Sequence, residues 1–309
     1  MEPKDPKQKR MFSRQPNKTQ PSLFEVMQKF GTEERCIKHL ERIRWPEGLK
    51  CIRCPSTRVM NFEAEGKTGK TRNLYECVDC RYQYSVTTGT IFHDTHLPLT
   101  KWFIGIYLIC SAKKGISAKE LQRQLSTSYK TAWYMAHRIR LAMQQDEDFC
   151  EKFSGVCEVD ETYVGGKRKG QHGRSTATKV PVLGMKEKTS GKIRMVAAKD
   201  VSADTLKNFI RTHAEAGSEI HSDEFSSYLW LDGSEYTHKA VKHADEYVTA
   251  EGITTNGIEG VWSLFKRGII GQFHKVSAKY LPLYLDEFSF RFNNRSEFNL
   301  MDKVLASRF

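Results

Sequence analysis

The sequence predicts an α/β protein in which a mixed five-stranded sheet with helices is preceded by a small cysteine-rich module and a helical segment. Three observations predict it. Two Cys-x-x-Cys pairs sit in a strand-like stretch of the first third. Apolar residues recur at helical spacing through 98–144. Beyond Gly155 the pattern changes to short alternating strands separated by amphipathic helices.

Residues 1–20 are polar and basic, with Pro3, Pro6 and Pro16 and no periodicity, and read as a disordered basic arm. A short helical segment follows over 21–48, with helices from Leu23 to Phe30 and from Thr32 to Arg44. Thr32 serves as N-cap, with Glu33 and Glu34 in the first turn. Pro46 and Gly48 end that unit. The cysteine-rich module spans 49–95 and the helical region 96–150. The sheet occupies 151–309. Its strands are expected at Val156–Asp160, Val180–Met185, Ile193–Ala198, Ser218–Ser222 and Lys239–His243, and its helices at 202–216, 255–267 and 277–291.

The 309 residues carry 49 Lys+Arg against 37 Asp+Glu, a net +12. A basic balance of that size points to a polyanionic partner, most often nucleic acid. Residues 1–154 hold 27 basic and 17 acidic residues, and residues 155–309 hold 22 and 20. The polyanion-binding surface is therefore expected in the first half. The longest apolar run, Trp102 to Cys110, is nine residues, against about 20 for a membrane-spanning helix. The N-terminus has no apolar signal-peptide core. A cytosolic protein, nucleoid-associated in a bacterium or nuclear in a eukaryote, with reduced thiols and no membrane partner is expected.

Cys51-x-x-Cys54 and Cys77-x-x-Cys80 are separated by 22 residues. Each pair can grip a tetrahedral ion from a tight turn, and two such turns complete a four-thiolate Zn²⁺ site, here a zinc ribbon. Two disulfides, or thiols packed as small hydrophobes, are the alternatives. Cys36, Cys110, Cys150 and Cys157 lack such spacing and read as core thiols.

Ser117 starts a short helix with Glu120 completing a capping box. Leu121 and Leu125 face its core, Ser126-Thr127-Ser128 turns, and Tyr129 to Met143 forms a second helix. This is the helix-turn-helix pattern. Trp133, Ala136, Ile139 and Met143 make the core stripe of the second helix. Lys130, Thr131, Tyr134, His137, Arg138 and Arg140 are left for its solvent side, where they suit phosphates and base edges. An ordinary helical hairpin with a solvated charged face is the alternative.

Asp160 ends the first strand of the sheet, Asp223 follows the fourth, and Glu259 lies on a helix with Lys266 two turns later on the same side. Thirty-five residues separate Asp223 from Glu259. In an RNase H-like sheet, strands one and four are neighbours, so Asp160 and Asp223 converge and the late helix brings Glu259 to them. Three carboxylates can hold two divalent ions about 3.5–4 Å apart, the arrangement phosphodiester chemistry needs. Mg²⁺ (or Mn²⁺) suits all-oxygen ligands.

Three stretches carry a family resemblance: Glu158-Val159-Asp160-Glu161-Thr162-Tyr163-Val164-Gly165-Gly166-Lys167, His221-Ser222-Asp223, and Asn256 to Arg295. The last contains Glu259-Gly260-x-Trp262-Ser263-x-x-Lys266-Arg267-Gly268 and Glu287-Phe288-x-Phe290-Arg291-Phe292-Asn293-x-Arg295. Over roughly residues 20–300 the sequence resembles the DDE transposases of bacterial insertion sequences that carry an N-terminal zinc ribbon and are related to Merlin elements. The resemblance implies an RNase H-like catalytic domain that cleaves and joins DNA at transposon ends. It carries the acidic triad onto Asp160, Asp223 and Glu259, with Lys266 as the accompanying basic residue. Asn256, one turn before Glu259, is a lesser candidate for the third ligand. The partners implied are terminal inverted repeats and target DNA, with a homo-oligomer on paired ends. DNA contacts are expected from Lys130, Thr131, Tyr134, Arg138, Lys167, Arg168, Arg267, His274 and Arg291. Glu161 either orients Asp160 or faces solvent. A DNA-binding regulator with an inactive RNase H-like domain is the alternative function.

Overall fold

Ser22 opens the first helix, α1 (Leu23–Lys29), with a reciprocal capping box: its hydroxyl accepts the Glu25 N–H and the Glu25 carboxylate accepts the Ser22 N–H. Thr32 caps α2 (Glu33–Arg44) as its sequence predicts. The computed structural model describes residues 20–65, 71–144, 151–166, 179–241 and 254–307. The expected arm, Cys150, Lys167 and Arg168 lie outside the described residues.

The cysteine-rich module is a three-stranded antiparallel sheet of β1 (Val59–Glu65), β2 (Thr71–Cys77) and β3 (Gln83–Tyr84), in that order. Its aromatic face, Tyr75 and Tyr84, stacks and packs against Trp45 at the end of α2. Three helices follow, α3 (Leu99–Ser111), α4 (Ala118–Leu125) and α5 (Tyr129–Gln144). The first N–H of α3 is taken by the Glu33 carboxylate, from another helix. Ser117 caps α4, but the Glu120 carboxylate turns to Arg123 and Gln124, so only half of the expected capping box forms. Ser126, in the left-handed region at φ 46°, turns the chain sharply from α4 into α5.

The second half holds β4 (Val156–Val164), β5 (Val180–Glu187), β6 (Ile193–Ala197), α6 (Ala203–His213), β7 (Glu219–Asp223), a 3-10 turn at Ser226–Leu231, β8 (Thr237–Val241), α7 (Asn256–Gly268), a π-helical turn at Ile269–Phe273, α8 (Leu281–Asn293) and α9 (Leu300–Ala306). The sheet order is β6-β5-β4-β7-β8. The first three strands run antiparallel, and β7 and β8 run parallel to β4. That order and those directions make the sheet RNase H-like. The fifth strand begins two residues before its predicted start. The predicted helix over 202–216 stops at His213, because Ala214 turns extended and pairs with Phe153.

Apolar residues of one sheet face pack with α6 and the 3-10 turn, and those of the other face with α7 and α8. A third cluster unites α1, α2, the small sheet and α3–α5. The chain was expected to stay with the catalytic sheet to its end. Instead α9 crosses back into the N-terminal cluster, burying Leu300, Met301, Val304 and Leu305 there, and His39 meets Asp302 at 2.8 Å. Burying these four apolar residues of the seven-residue helix stabilises it on that core.

Among the described residues, no helix is long and apolar enough to cross a membrane.

Candidate active site and thiol cluster

Strand register brings the first two acids together. β4 pairs with β7 from Val156–Glu219 to Glu158–His221, so two residues further along lie Asp160 and Asp223 on adjacent strands. α7 crosses the same sheet face and presents Glu259 in its first turn, where Thr255 Oγ1 donates to Glu259 Oε1 at 3.1 Å. Trp262, one turn on, donates its indole N–H to Asp160 Oδ2 at 2.9 Å, and the Glu161 N–H donates to Asp160 Oδ1 at 2.8 Å. Gly184, facing Asp160 on β5, makes room for the indole: a Cβ there would lie 2.4 Å from the Trp262 ring.

The electrostatics report the convergence. Burial, and then the negative charges of Asp223 and Glu259, push Asp160 up to about 6. Glu161 points to the other face of β4, where Tyr228 donates to its Oε2 at 3.0 Å. Burial and the charges of Asp223 and Asp160 push Glu161 up to about 7. Neither sequence alternative for Glu161 anticipated this: its side chain is held by a buried tyrosine on the sheet face opposite α7. The signal lay in Tyr228, but only the fold makes the two neighbours. Half-buried carboxylates brought this close are a donor set whose repulsion divalent cations would relieve. Asn256 is exposed at the start of α7, and Lys266 is exposed two turns beyond Glu259.

The cysteine tetrad forms as predicted. All four Sγ atoms lie within 4.8 Å of one another, and among the described residues no other group of three or more metal-ligating side chains is so tightly gathered. Cys51 and Cys80 are 3.6 Å apart at sulfur, as are Cys54 and Cys77. These separations exclude disulfides, whose S–S bond is about 2.05 Å. They match the edge of a tetrahedron with Zn–S about 2.3 Å, which is about 3.8 Å. The backbone N–H groups of Cys80 and Asp79 aim at the Cys77 sulfur and favour its thiolate. The tetrad thus fits a zinc ion. Cys36, Cys110 and Cys157 are buried core thiols, as expected.

The exposed face of α5 is narrower than predicted. Lys130 and Tyr134 are exposed, Thr131 and Arg138 half-buried, and Arg138 donates to the Tyr134 hydroxyl at 2.7 Å. His137 and Arg140, expected on the solvent side, are buried. The prediction assumed that α5 has one covered face. It has a second, since α8 packs against α5 in addition to α3 and α4. Arg140 Nε donates to Glu287 Oε2 at 2.6 Å and its guanidinium lies over the Tyr284 ring.

Arg291, expected to contact DNA, is corrected likewise. It is buried, with one nitrogen 3.0 Å from Glu287 Oε1 and another bonded to the Ala112 carbonyl. Its charge is neutralised inside the protein. Asn293 exchanges two hydrogen bonds with the Ile193 backbone, covering the outer edge of β6. Arg267 and His274 are exposed, the latter at φ 58° where the π-helical turn ends.

Residues 152–293 match the ISXO2-like transposase domain, and residues 31–83 match the transposase zinc-ribbon domain. Together the two matches cover more than half of the chain. A protein of the transposable element ISH50 of Halobacterium salinarum is 26% identical over 279 residues, covering 85% of this chain and 91% of its own. A transposase-like protein of Haemophilus influenzae is 29% identical over 117 residues, covering 37% of this chain and 94% of its own. Among solved structures, the HTLV-2 integrase catalytic core domain in complex with magnesium is similar at TM-score 0.26 and 13% identity, covering 47% of this chain and 83% of that one. With a zinc-ribbon match, a transposase-domain match and an RNase H-like sheet in one chain, the protein belongs to the DDE insertion-sequence transposases that carry an N-terminal zinc ribbon.

Proposed function

We propose that this DNA transposase cuts and joins its element's ends with Asp160, Asp223 and Glu259 as the acids that hold two divalent cations, Mg²⁺ or Mn²⁺. The observation that carries the reading is geometric: the strand register sets Asp160 beside Asp223, and α7, which bears Glu259, is bonded to Asp160 through Trp262. Such cations, when bound, activate the attacking oxygen and stabilise the leaving one. The chain's own residues do the holding and orienting. Trp262 and the Glu161 N–H fix the Asp160 carboxylate. Lys266 and Arg267, exposed at the far end of α7, neutralise phosphates of the scissile strand. His274 is placed to do the same where the π-helical turn ends. Water first attacks the phosphodiester, and the 3′-OH released then attacks target DNA in line. No protein side chain forms a covalent intermediate.

Recognition falls to the first half. The ribbon, held by zinc on Cys51, Cys54, Cys77 and Cys80, and the α4–α5 unit bind the terminal inverted repeats. Lys130, Thr131, Tyr134 and Arg138 offer the charge and hydrogen-bonding groups. Paired ends are held by a homo-oligomer.

The test is a duplex carrying the element's end, with Asp223→Asn as the variant. Affinity for the duplex is expected to stay within about twofold while cleavage in Mg²⁺ falls by on the order of a thousandfold. Undiminished cleavage by Asp223→Asn refutes the assignment. A wild-type protein that binds the end and never nicks it would instead be a DNA-binding regulator.

A further inference from the structure

A helix start leaves its first N–H groups unpaired, and they need acceptors. In α7 the N-cap residue Thr255 supplies none from its side chain. The acceptor comes from the sheet. Glu158, buried on β4, places Oε2 2.7 Å from the Ile258 N–H, the third residue of the helix. A carboxylate there also meets the positive end of the helix dipole, which stabilises its buried charge.

The approach is close enough to dictate a neighbouring residue. A Cβ on Gly257 would lie 2.3 Å from Glu158 Oε2 and 2.5 Å from Lys186 Nζ. Lys186 stands opposite Glu158 on β5. Only glycine lets the helix start settle onto that carboxylate.

The contact has a place in the site. Glu158 and Asp160 are two residues apart on β4, and both face α7, because each bonds to it. Ile258 and Glu259 are consecutive on α7. One bond from Glu158 to Ile258 and one from Trp262 to Asp160 therefore fasten the two acid-bearing elements at points on either side of Glu259.

We propose that Glu158 is a positioning residue, whose carboxylate caps α7 from strand β4 and so sets the place of Glu259 relative to Asp160. This rests on the active-site reading above. It adds a residue that need not touch metal or DNA.

The experiment compares Glu158→Ala, Glu158→Gln, Gly257→Ala and the double variant Glu158→Ala/Gly257→Ala in the full chain. End-duplex affinity, thermal midpoint and the Mg²⁺ concentration for half-maximal cleavage are measured for each. Glu158→Ala is expected to raise that concentration about ten- to a hundredfold, the usual effect of losing a group that orients a metal ligand. End affinity is expected to stay unchanged. Glu158→Gln keeps an acceptor oxygen and is expected to recover most of the loss. Gly257→Ala tests the same contact from the helix side with the acid intact. It is expected to match Glu158→Ala, and the double variant to be no worse than either single one.

A wild-type Mg²⁺ requirement in both Glu158→Ala and Gly257→Ala overturns the proposal. So does a loss of thermal midpoint, affinity and cleavage together with no change in Mg²⁺ requirement, because that is a purely structural role. A Glu259→Ala control separates the two readings. If that control is inactive, such results overturn only the role of Glu158. If it cleaves normally, the site reading falls and the inference with it.

Discussion

His137 is a buried imidazole whose two ring nitrogens have no hydrogen-bond partner. It sits among the rings of Trp133, Tyr280 and Tyr284. Burial, and then the Arg140 charge, push it down to about 4, against the Glu287 charge that favours protonation. His213 is also pushed down to about 4, by burial and then by Arg194 and Lys152. An unfolded histidine titrates near 6.5. As pH falls from about 6.5 towards about 4, the unfolded chain binds protons that the folded chain refuses. Stability from these residues is present above that window and is lost progressively within it. His137→Phe is expected to flatten part of the loss, read as denaturant midpoints at pH 7 and pH 5. An unchanged pH slope would contradict it. Residue chemistry of this kind was only partly legible in the sequence. The acids and thiols announced themselves by type and spacing. His137 did not, because its role depends on which neighbour covers it.

Single elements explain where sequence reading stops. A helix presents apolar residues to one neighbour in the simplest pattern, and α5 was read that way. Its real second neighbour, α8, is joined to it by charges: Arg140, Glu287 and Arg291 form a buried triad between the two helices. Charged residues are the ones a wheel assigns to solvent, so the joint is hidden in the sequence. Arg140→Ala would leave the buried Glu287 with one partner fewer, and is expected to cost about 3–5 kcal/mol in denaturant unfolding. Replacing all three by apolar residues, as Arg140→Met/Glu287→Leu/Arg291→Met, is expected to restore most of it. A loss below about 1 kcal/mol in the single variant would show that the joint contributes little. The helix starts teach the same lesson. Ser22, Thr32 and Ser117 cap their own helices and were readable locally or nearly so. Glu33 caps α3 and Glu158 caps α7 from distant elements, which no local window shows.

At the scale of the molecule, the net +12 resolves into two parts. The first half carries nearly all of the excess, as a surface that meets phosphate requires, and binding through it should weaken steeply with salt. The second half is close to neutral, with 22 basic against 20 acidic residues. The strands of this sheet were legible, since alternation defines each one, while the adjacency of the first and fourth came from taking the sheet as RNase H-like. The placement of α9 was not, because four apolar residues in seven say that a helix is covered but not by what. Deleting residues 299–309 removes Leu300, Met301, Val304 and Leu305 from the N-terminal core. Each buried side chain of that size contributes about 1.5–3 kcal/mol. The expected result is loss of amide-exchange protection in α2 and α3, with β4 and β5 still protected. Equal protection in both would contradict it.

That return of α9 also orders events in time. Synthesis runs from the N-terminal to the C-terminal end, so α1 to α5 emerge well before α9. Their core lacks its last wall until residues 300–306 have been made. The module translated earliest is the one completed latest, and a product that ends early carries an unfinished one. Completion of the N-terminal core thereby waits until Asp160, Asp223 and Glu259 have all been translated.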